Sequence, residues 1–362
     1  MERVASVAAK LKPYFDSRLR KDGDNDIWSM YDDELGDAAS CCTTAAAASF
    51  YVLDAELHGG DGLEKAARLA RDVRRRQLPE GAFGQPYYVK KGETGTVDIA
   101  EIGASATSLY RVYRAAGEEA AKDSLLRSAD YLLTQVAAEN PGAVYKNPNA
   151  KSHDVLNGDI YAAHTLGRAY ELSGDDQYLR KAEEIVVHVM SRFGKHSPGW
   201  WPYTENWDGS VHMGNSVAYQ ATIIAFAHSV IPLLSPSVRR SWAAVASEAV
   251  DTIIEALKQG PNDDNEAPWW CRDWDNVPEI MLALACFPER EEARAYVERR
   301  LRTVDEQLER QGISVFEPKV KHDDPERSPV TTTYRKAATF AAILGHLTVE
   351  DVLKQDGEKR GR

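Results

Sequence analysis

The sequence predicts an all-α protein, an (α/α)6 toroid built from six helical hairpins. Three observations predict it. A unit of about 55 residues recurs along the 362-residue chain, and a fixed period of this kind marks a repeat architecture. Within each unit a charged amphipathic helix, a long polar loop and a second helix rich in Ala, Ser and Thr follow one another. Strand-like alternation is nearly absent.

The predicted outer helices cover residues 2–20, 62–77, 122–137, 177–193, 236–258 and 290–311, and the inner helices 38–57, 98–116, 155–173, 213–233, 276–287 and 329–348. Outer helices carry charge on one face, as in Glu64-Lys65-Ala66-Ala67-Arg68 and Glu291-Glu292-Ala293-Arg294, because that face meets water. Inner helices are rich in small residues, as in Ala45-Ala46-Ala47-Ala48, Gly103-Ala104-Ser105-Ala106 and Tyr161-Ala162-Ala163. Small side chains let helices approach closely, as an inner ring enclosed on all sides requires. Gly117 and Gly174 stand where helices should stop. No Pro/Gly/Ser-rich tether interrupts the period, so residues 1–352 read as one toroid domain rather than two domains or an open solenoid, with a polar tail over 353–362.

Composition excludes several function classes. Hydrophobic residues make up 43% and charged residues 28%, the balance of a globular protein with a large core. The net charge of −12 argues against a nucleic-acid partner, and Arg74-Arg75-Arg76 reads as a helix end. No apolar run is long enough to span a bilayer and the N-terminus lacks a signal-peptide core, so a cytoplasmic protein without a membrane partner is expected. Cys41, Cys42, Cys271 and Cys286 include no C-x-x-C pair and read as small buried residues.

The loops between outer and inner helices hold the unusual residues. Of the eight tryptophans, Trp28, Trp200, Trp201, Trp207, Trp269, Trp270 and Trp274 lie there, and only Trp242 falls within a helix pattern. A ring would gather these loops on one rim, the usual binding face of a repeat array. Aromatic faces beside carboxylates and amides suit a sugar, whose C–H faces stack on indoles while its hydroxyls seek polar partners. Trp28, Tyr31, Glu101, Asn157, Trp200, Trp201, Tyr203, Asn215, Trp270, Trp274, Tyr334 and Arg335 are the candidate substrate-binding residues. Asp37, Asp98, Asp154 and Asp275 are the candidate acids and bases, because two carboxyls in different environments can divide those roles. Asp37 and Asp98 serve equally well as helix caps. His212 is a candidate for proton transfer near neutral pH, whereas His164, His188, His228 and His346 fall inside helices and read as structural. Arg335 either grips a substrate carboxylate or pairs with a loop acid. His153-Asp154 and His322-Asp323-Asp324 lack helix-face ligand spacing, so neither a metal nor another cofactor is expected.

Residues 155–175 resemble a repeat of the six-hairpin glycosidase superfamily. There an inner helix ends in a Y-x-L-T-G-D turn before a Y-L-x-x-A outer helix, similar to Tyr170-Glu171-Leu172-Ser173-Gly174-Asp175 and Tyr178-Leu179-Arg180-Lys181-Ala182 here. His153-Asp154 is similar to the start of the H-D-x-G-F motif of unsaturated glucuronyl hydrolases, which implies a catalytic Asp154; the match departs after two residues, at Val155-Leu156-Asn157. Gly199-Trp200-Trp201-Pro202-Tyr203 with His212 resembles the G-x-W-x-Y loop and following histidine of toroids in polysaccharide metabolism. These resemblances imply a glycoside hydrolase, lyase or epimerase acting on a glycan or small sugar, uronic acids included.

A second family is also resembled. Arg76-Gln77-Leu78-Pro79-Glu80-Gly81-Ala82-Phe83, and Leu133-Thr134-Gln135 ahead of Gly142, are similar to the Q-x-x-x-G-x-W repeats of squalene-cyclase-like terpenoid cyclases. The run from Asp37 to Ala45 resembles their acid-led helix start. This implies an isomerase or hydro-lyase of specialised metabolism. No D-x-D-D motif is present and Phe numbers only eight, so the polar loops favour sugars. A toroid that binds a glycan or protein without catalysis is the third reading.

Overall fold

The computed structural model describes residues 2–22, 26–90, 93, 96–149, 151–260, 278–318 and 324–349. The helices, in order, are α1 (Glu2–Arg18), α2 (Cys41–His58), α3 (Gly62–Arg76), α4 (Ile99–Ala116), α5 (Glu119–Thr134), α6 (Leu156–Ser173), α7 (Asp176–Arg192), α8 (Val217–Val230), α9 (Pro236–Gln259), α10 (Pro278–Ala285), α11 (Glu291–Gln311) and α12 (Thr333–Val349). These match the predicted hairpins closely. The near absence of strands does not hold. The loops carry β1 (Leu19–Lys21), β2 (Trp28–Asp32), β3 (Asp37–Ala38), β4 (His153–Val155), β5 (Pro202–Asn206) and β6 (Val211–Asn215), so residues 213–215 are strand rather than the start of α8. Short strands inside long polar loops leave too little alternation to be read. No described helix is long and apolar enough to cross a membrane.

The chain forms two compact units, Met1–Arg127 with Glu298–Arg362, and Ser128–Val297. In the first unit the small-residue helix α2 packs between α4 and α12, with α1 and α3 outside it. Gly62 lets α3 approach α2 so closely that a Cβ there would stand 2.4 Å from the Tyr51 carbonyl oxygen. The inner helices start on polar caps: the Ser40 hydroxyl accepts from the Thr43 amide and the Asp98 carboxylate from the Ala100 amide. The intervening loops converge at these starts. β1, β2 and β3 form one antiparallel sheet. The second and last loops are joined by the Tyr88 amide donating to Pro329 O, the Ser328 amide donating to Val89 O, and a bridge from Lys90 to Arg327.

In the second unit α8 packs between α6 and α10, with α7 against α6 and α9 against α8. β4, β5 and β6 form an antiparallel sheet with β5 in the centre. Gly174 ends α6 in the left-handed conformation and the Asp175 carboxylate caps α7, as the Ser173-Gly174-Asp175 turn predicts.

A buried glutamine clamps the loop in each unit. Gln77 Nε2 donates to Gly81 O at 2.7 Å and Ser124 O at 2.9 Å. Gln220 Nε2 donates to Gly199 O at 3.1 Å and Ala249 O at 3.0 Å, while its Oε1 accepts from the Trp201 amide. The Q-x-x-x-G spacing thus serves as a loop staple here.

Gly81 has φ +102° and a Cβ would lie 2.2 Å from Arg127 O, whereas Gly36, at φ +70°, faces open space. Gly81→Ala is therefore expected to lower unfolding free energy by about 3 kcal/mol or more, and Gly36→Ala by only about 1 kcal/mol. Equal shifts in urea midpoint would contradict the packing argument.

Candidate functional site

The richest cluster of the second unit lies on the two faces of the β4–β6 sheet. Successive strand residues point to opposite faces. Along β4, Asp154 is therefore buried while His153 is half-exposed. Directly opposite Asp154 on β5 stands Glu205, 3% exposed. Two carboxyl groups side by side need hydrogen-bond donors, and α7 with the turn after it supplies them. His188 Nε2 meets Asp154 Oδ2 at 2.7 Å. One turn later Arg192 grips Glu205 through Nε at 2.6 Å and Nη2 at 3.0 Å, joined by His196 at 2.8 Å. Removing one partner of such a pair leaves an uncompensated buried charge, which costs about 3–5 kcal/mol.

A third carboxyl, Asp159 in the first turn of α6, completes this inner cluster. It is wholly buried, its Oδ1 accepts from the Val144 amide at 2.8 Å, and its Oδ2 lies 3.7 Å from His188 Nε2. Burial first, and the neighbouring Asp154 carboxylate second, hold the Asp159 carboxyl well above the usual Asp range. Asp159 thus keeps its proton to higher pH than an ordinary aspartate.

Asp154, Asp159 and His188 present oxygen and nitrogen atoms within 4.8 Å of one another, close enough to raise the question of a metal. The donor chemistry does not fit. Asn140 Oδ1 accepts from the Gly142 amide, which turns its Nδ2 towards His188 Nδ1 at 3.1 Å. An amide N–H2 donates, so Nδ1 accepts and the proton sits on Nε2, pointing at Asp154. A ligating histidine needs the reverse, a bare Nε2 and an Nδ1–H facing an acceptor.

The open face of the sheet carries a different pair. The imidazoles of His153 and His212 stack with ring centres 4.4 Å apart and planes 17° from parallel. Each Nδ1 is held by a hydroxyl, Ser152 Oγ at 2.9 Å for His153 and Thr204 Oγ1 at 2.9 Å for His212. No hydrogen bond to either Nε2 occurs among the described residues. Burial, then His212 and Lys146, push the His153 pKa below its ordinary value. Tyr203 lies nearby on β5, its ring stacked on Tyr219 at 4.1 Å.

The first unit gathers its candidates at the starts of α2, α4 and α12. Glu101, 2% exposed, receives Arg335 Nη2 at 3.3 Å, so Arg335 pairs with a loop acid as one of the two sequence readings has it. Burial raises the Glu101 pKa, while Arg335, the Ser40 hydroxyl and the Cys42 amide pull it down. The Arg335 guanidinium lies over the Tyr87 ring at 4.1 Å. Asp32 accepts from Thr332 Oγ1 at 2.7 Å, tying the first loop to the last.

The remaining candidates fall as follows. Asp98 caps α4, and the exposed Asp37 accepts from the neighbouring Ala38 amide. Trp28 is sandwiched by Arg68 at 4.6 Å and Lys21 at 4.8 Å, and Tyr31 faces Arg20 at 5.3 Å. Trp201 is 2% exposed and packs against Phe193 and Trp242, so its indole belongs to the core and offers no stacking face, whereas Trp200 is half-buried. Tyr334 is likewise core, its hydroxyl directed at Thr43 O. Asn157 and Asn215 are buried, and Asn157 Oδ1 has no partner among the described residues. Trp270, Trp274 and Asp275 lie outside the described residues, as do Trp269, Cys271, His322 and Asp323. Sequence reasoning named neither Asp159 nor Glu205 as a site residue, read His188 as structural, and treated His153 only as part of a motif. The i, i+4 spacing of His188 and Arg192 was the available signal, though only the packing of α7 gives it meaning.

Solved structures share this architecture. Cellobiose 2-epimerase from Spirochaeta thermophila matches with a TM-score of 0.67 at 13% identity, covering 97% of each chain. A family 76 glycoside hydrolase, an α-mannanase from Bacteroides thetaiotaomicron, matches at 0.62 and 12% identity over 98% of this chain and 97% of its own. Unsaturated glucuronyl hydrolase from Bacillus matches at 0.54 and 15% identity over 94% of each. The fold is the (α/α)6 toroid. No protein-family model and no curated protein matches the chain.

The Asp159 geometry has a pH consequence. A carboxyl whose folded pKa is raised binds more protons folded than unfolded, so its stabilising contribution is lost as pH rises from the ordinary aspartate value of 3.8 through the raised value. Asp159→Asn keeps the acceptor for Val144 and replaces the acid O–H by an N–H2 donor. It is expected to raise the urea midpoint at pH 7 and flatten its decline between pH 4 and 7. Asp32 and Glu101 are shifted the same way and leave a residual slope. A steeper decline in the variant would refute the raised Asp159 pKa.

Proposed function

We propose that the chain is a carbohydrate-active enzyme of the isomerase or epimerase type, moving a proton at the carbon beside a sugar's carbonyl group. The observation that carries this reading is the stacked His153–His212 pair. Each Nδ1 is anchored to a hydroxyl and each Nε2 is left for a substrate. A neutral imidazole removes a proton from such a carbon, and a protonated one returns it or protonates the adjoining oxygen. His153, with its pKa lowered, is the base at neutral pH. Two rings 4.4 Å apart on one side of a bound sugar suit proton transfer along one face, from C2 to C1 of an aldose, which yields the ketose; inversion at C2 needs the two imidazoles to reach opposite faces of the planar intermediate.

The fold likeness supports the same substrate class, since the similar structures are a cellobiose epimerase, a mannanase and a glucuronyl hydrolase. The acidic surface charge suits a neutral sugar over a phosphorylated one. Glycoside hydrolysis by a carboxyl pair has less support. Asp154 and Asp159 are 3% and 0% exposed and are committed to His188 and Val144. In this reading Asp154 anchors β4, so that His153 is presented outward.

The test is to incubate the protein with reducing disaccharides, cellobiose first, in heavy water. Ketose carrying deuterium at C1, or the C2 epimer carrying deuterium at C2, is expected, and unchanged sugar without exchange across such a panel would sink the proposal. His153→Asn and His212→Asn are each expected to lower kcat by about 10²–10⁴-fold without unfolding the protein. The acid limb of kcat/KM should fall below pH 6.5, because His153 must lose its proton to act. A limb above that value would assign the base elsewhere.

A further inference from the structure

Tyr88 is the one described residue other than glycine with a positive φ, 56°. That backbone conformation disfavours a bulky side chain, and it persists only where the surroundings enforce it. Here the last loop of the first unit enforces it. The Tyr88 amide donates to Pro329 O at 3.0 Å, Arg327 Nη1 donates to Tyr88 O at 3.2 Å, and the Val89 amide donates to Ser328 Oγ at 2.9 Å. This strained backbone holds a large ring out in water, 51% exposed. The Arg327 guanidinium covers one face at 4.7 Å. A residue kept for packing would be turned inwards, and one kept for the turn alone would be glycine.

The surroundings point to a hydroxylated ligand. Val330, 38% exposed, follows Pro329 in the same loop, and its carbonyl receives Arg335 Nη1 at 3.2 Å. Arg335 in turn leads to Tyr87 and Glu101. Tyr87 and Glu101 are 2% exposed each, so among these side chains Arg335 is the one that reaches the surface, its side chain 28% exposed.

We propose that Tyr88 is the stacking platform of a saccharide-binding subsite in the first unit, with Val330 as its apolar edge and Arg335 as its polar one. The apolar C–H face of a sugar ring lies on the free face of Tyr88, and its hydroxyls turn towards Arg335. The proposal rests on the carbohydrate reading and assigns a binding role, not a chemical step, to these residues.

Isothermal titration of the full chain with cellobiose and with mannobiose tests it, beside thermal unfolding of the same samples. Tyr88→Gly removes the ring and fits the backbone. It is expected to weaken disaccharide binding by at least about fivefold, the scale of one aromatic contact, while Tm stays within about 2 °C. Tyr88→Phe keeps the platform and should bind within about twofold of the parent. Unchanged affinity in Tyr88→Gly with deuterium exchange intact would overturn the subsite and leave the enzymatic reading standing. A fall in Tm of more than about 5 °C would overturn it as well, by making the ring a packing element. Tyr88-dependent binding without any proton exchange would keep the subsite and overturn the isomerase reading, and no binding of either disaccharide by the parent would overturn both.

Discussion

The hydrogen bond from His188 to Asp154 ties the loop sheet of the second unit to its outer helix, and the rest of that site follows from it. A carboxyl group 3% exposed needs a hydrogen-bond donor, and His188 offers its Nε2 proton because Asn140 Nδ2 faces the other ring nitrogen. With Asp154 pulled inward, strand alternation turns His153 outward, where it stacks on His212. The arrangement also raises the Asp159 pKa, because burial first and the neighbouring Asp154 second disfavour a charge there. One buried bond therefore decides which face of the sheet is structural and which is open to a ligand.

Both units use the same devices to hold long loops. A glutamine side chain staples loop carbonyls, at Gln77 in one unit and Gln220 in the other. Ser40, Asp98 and Ser216 cap α2, α4 and α8, and the loops are locked to each other by short strands or bridges. Polar loops of this length would otherwise cost much conformational entropy to order. Once ordered, they carry rigid side chains, which is what proton transfer and sugar stacking require.

The sequence resemblance pointed to Asp154 through His153-Asp154, and to His212 through the tryptophan-rich loop. The structure joins these two segments as neighbouring strands of one sheet. Yet it divides their residues between two faces, so that the histidines meet and the aspartate turns away. Trp201 shows the same division at the scale of one residue. It lies in a polar loop, as a binding tryptophan would, but its indole nitrogen donates to Val189 O and its ring packs on Trp242.

What the sequence determined by itself is the helical frame. The period, the charged outer faces, the small-residue inner helices and the glycine stops are all local, and local chemistry fixes where a helix begins, which face it buries and where it ends. The grouping of aromatic and acidic residues in the loops was legible for the same reason. Tertiary structure alone decided what each loop residue does. Strands of two to five residues show no period, and the partner that protonates, pairs or covers a side chain comes from residues tens of positions away. Asp154 and His188 are 34 residues apart, and Glu101 and Arg335 are 234 apart. Burial, and with it charge state and access to a ligand, exists only once those distant residues meet.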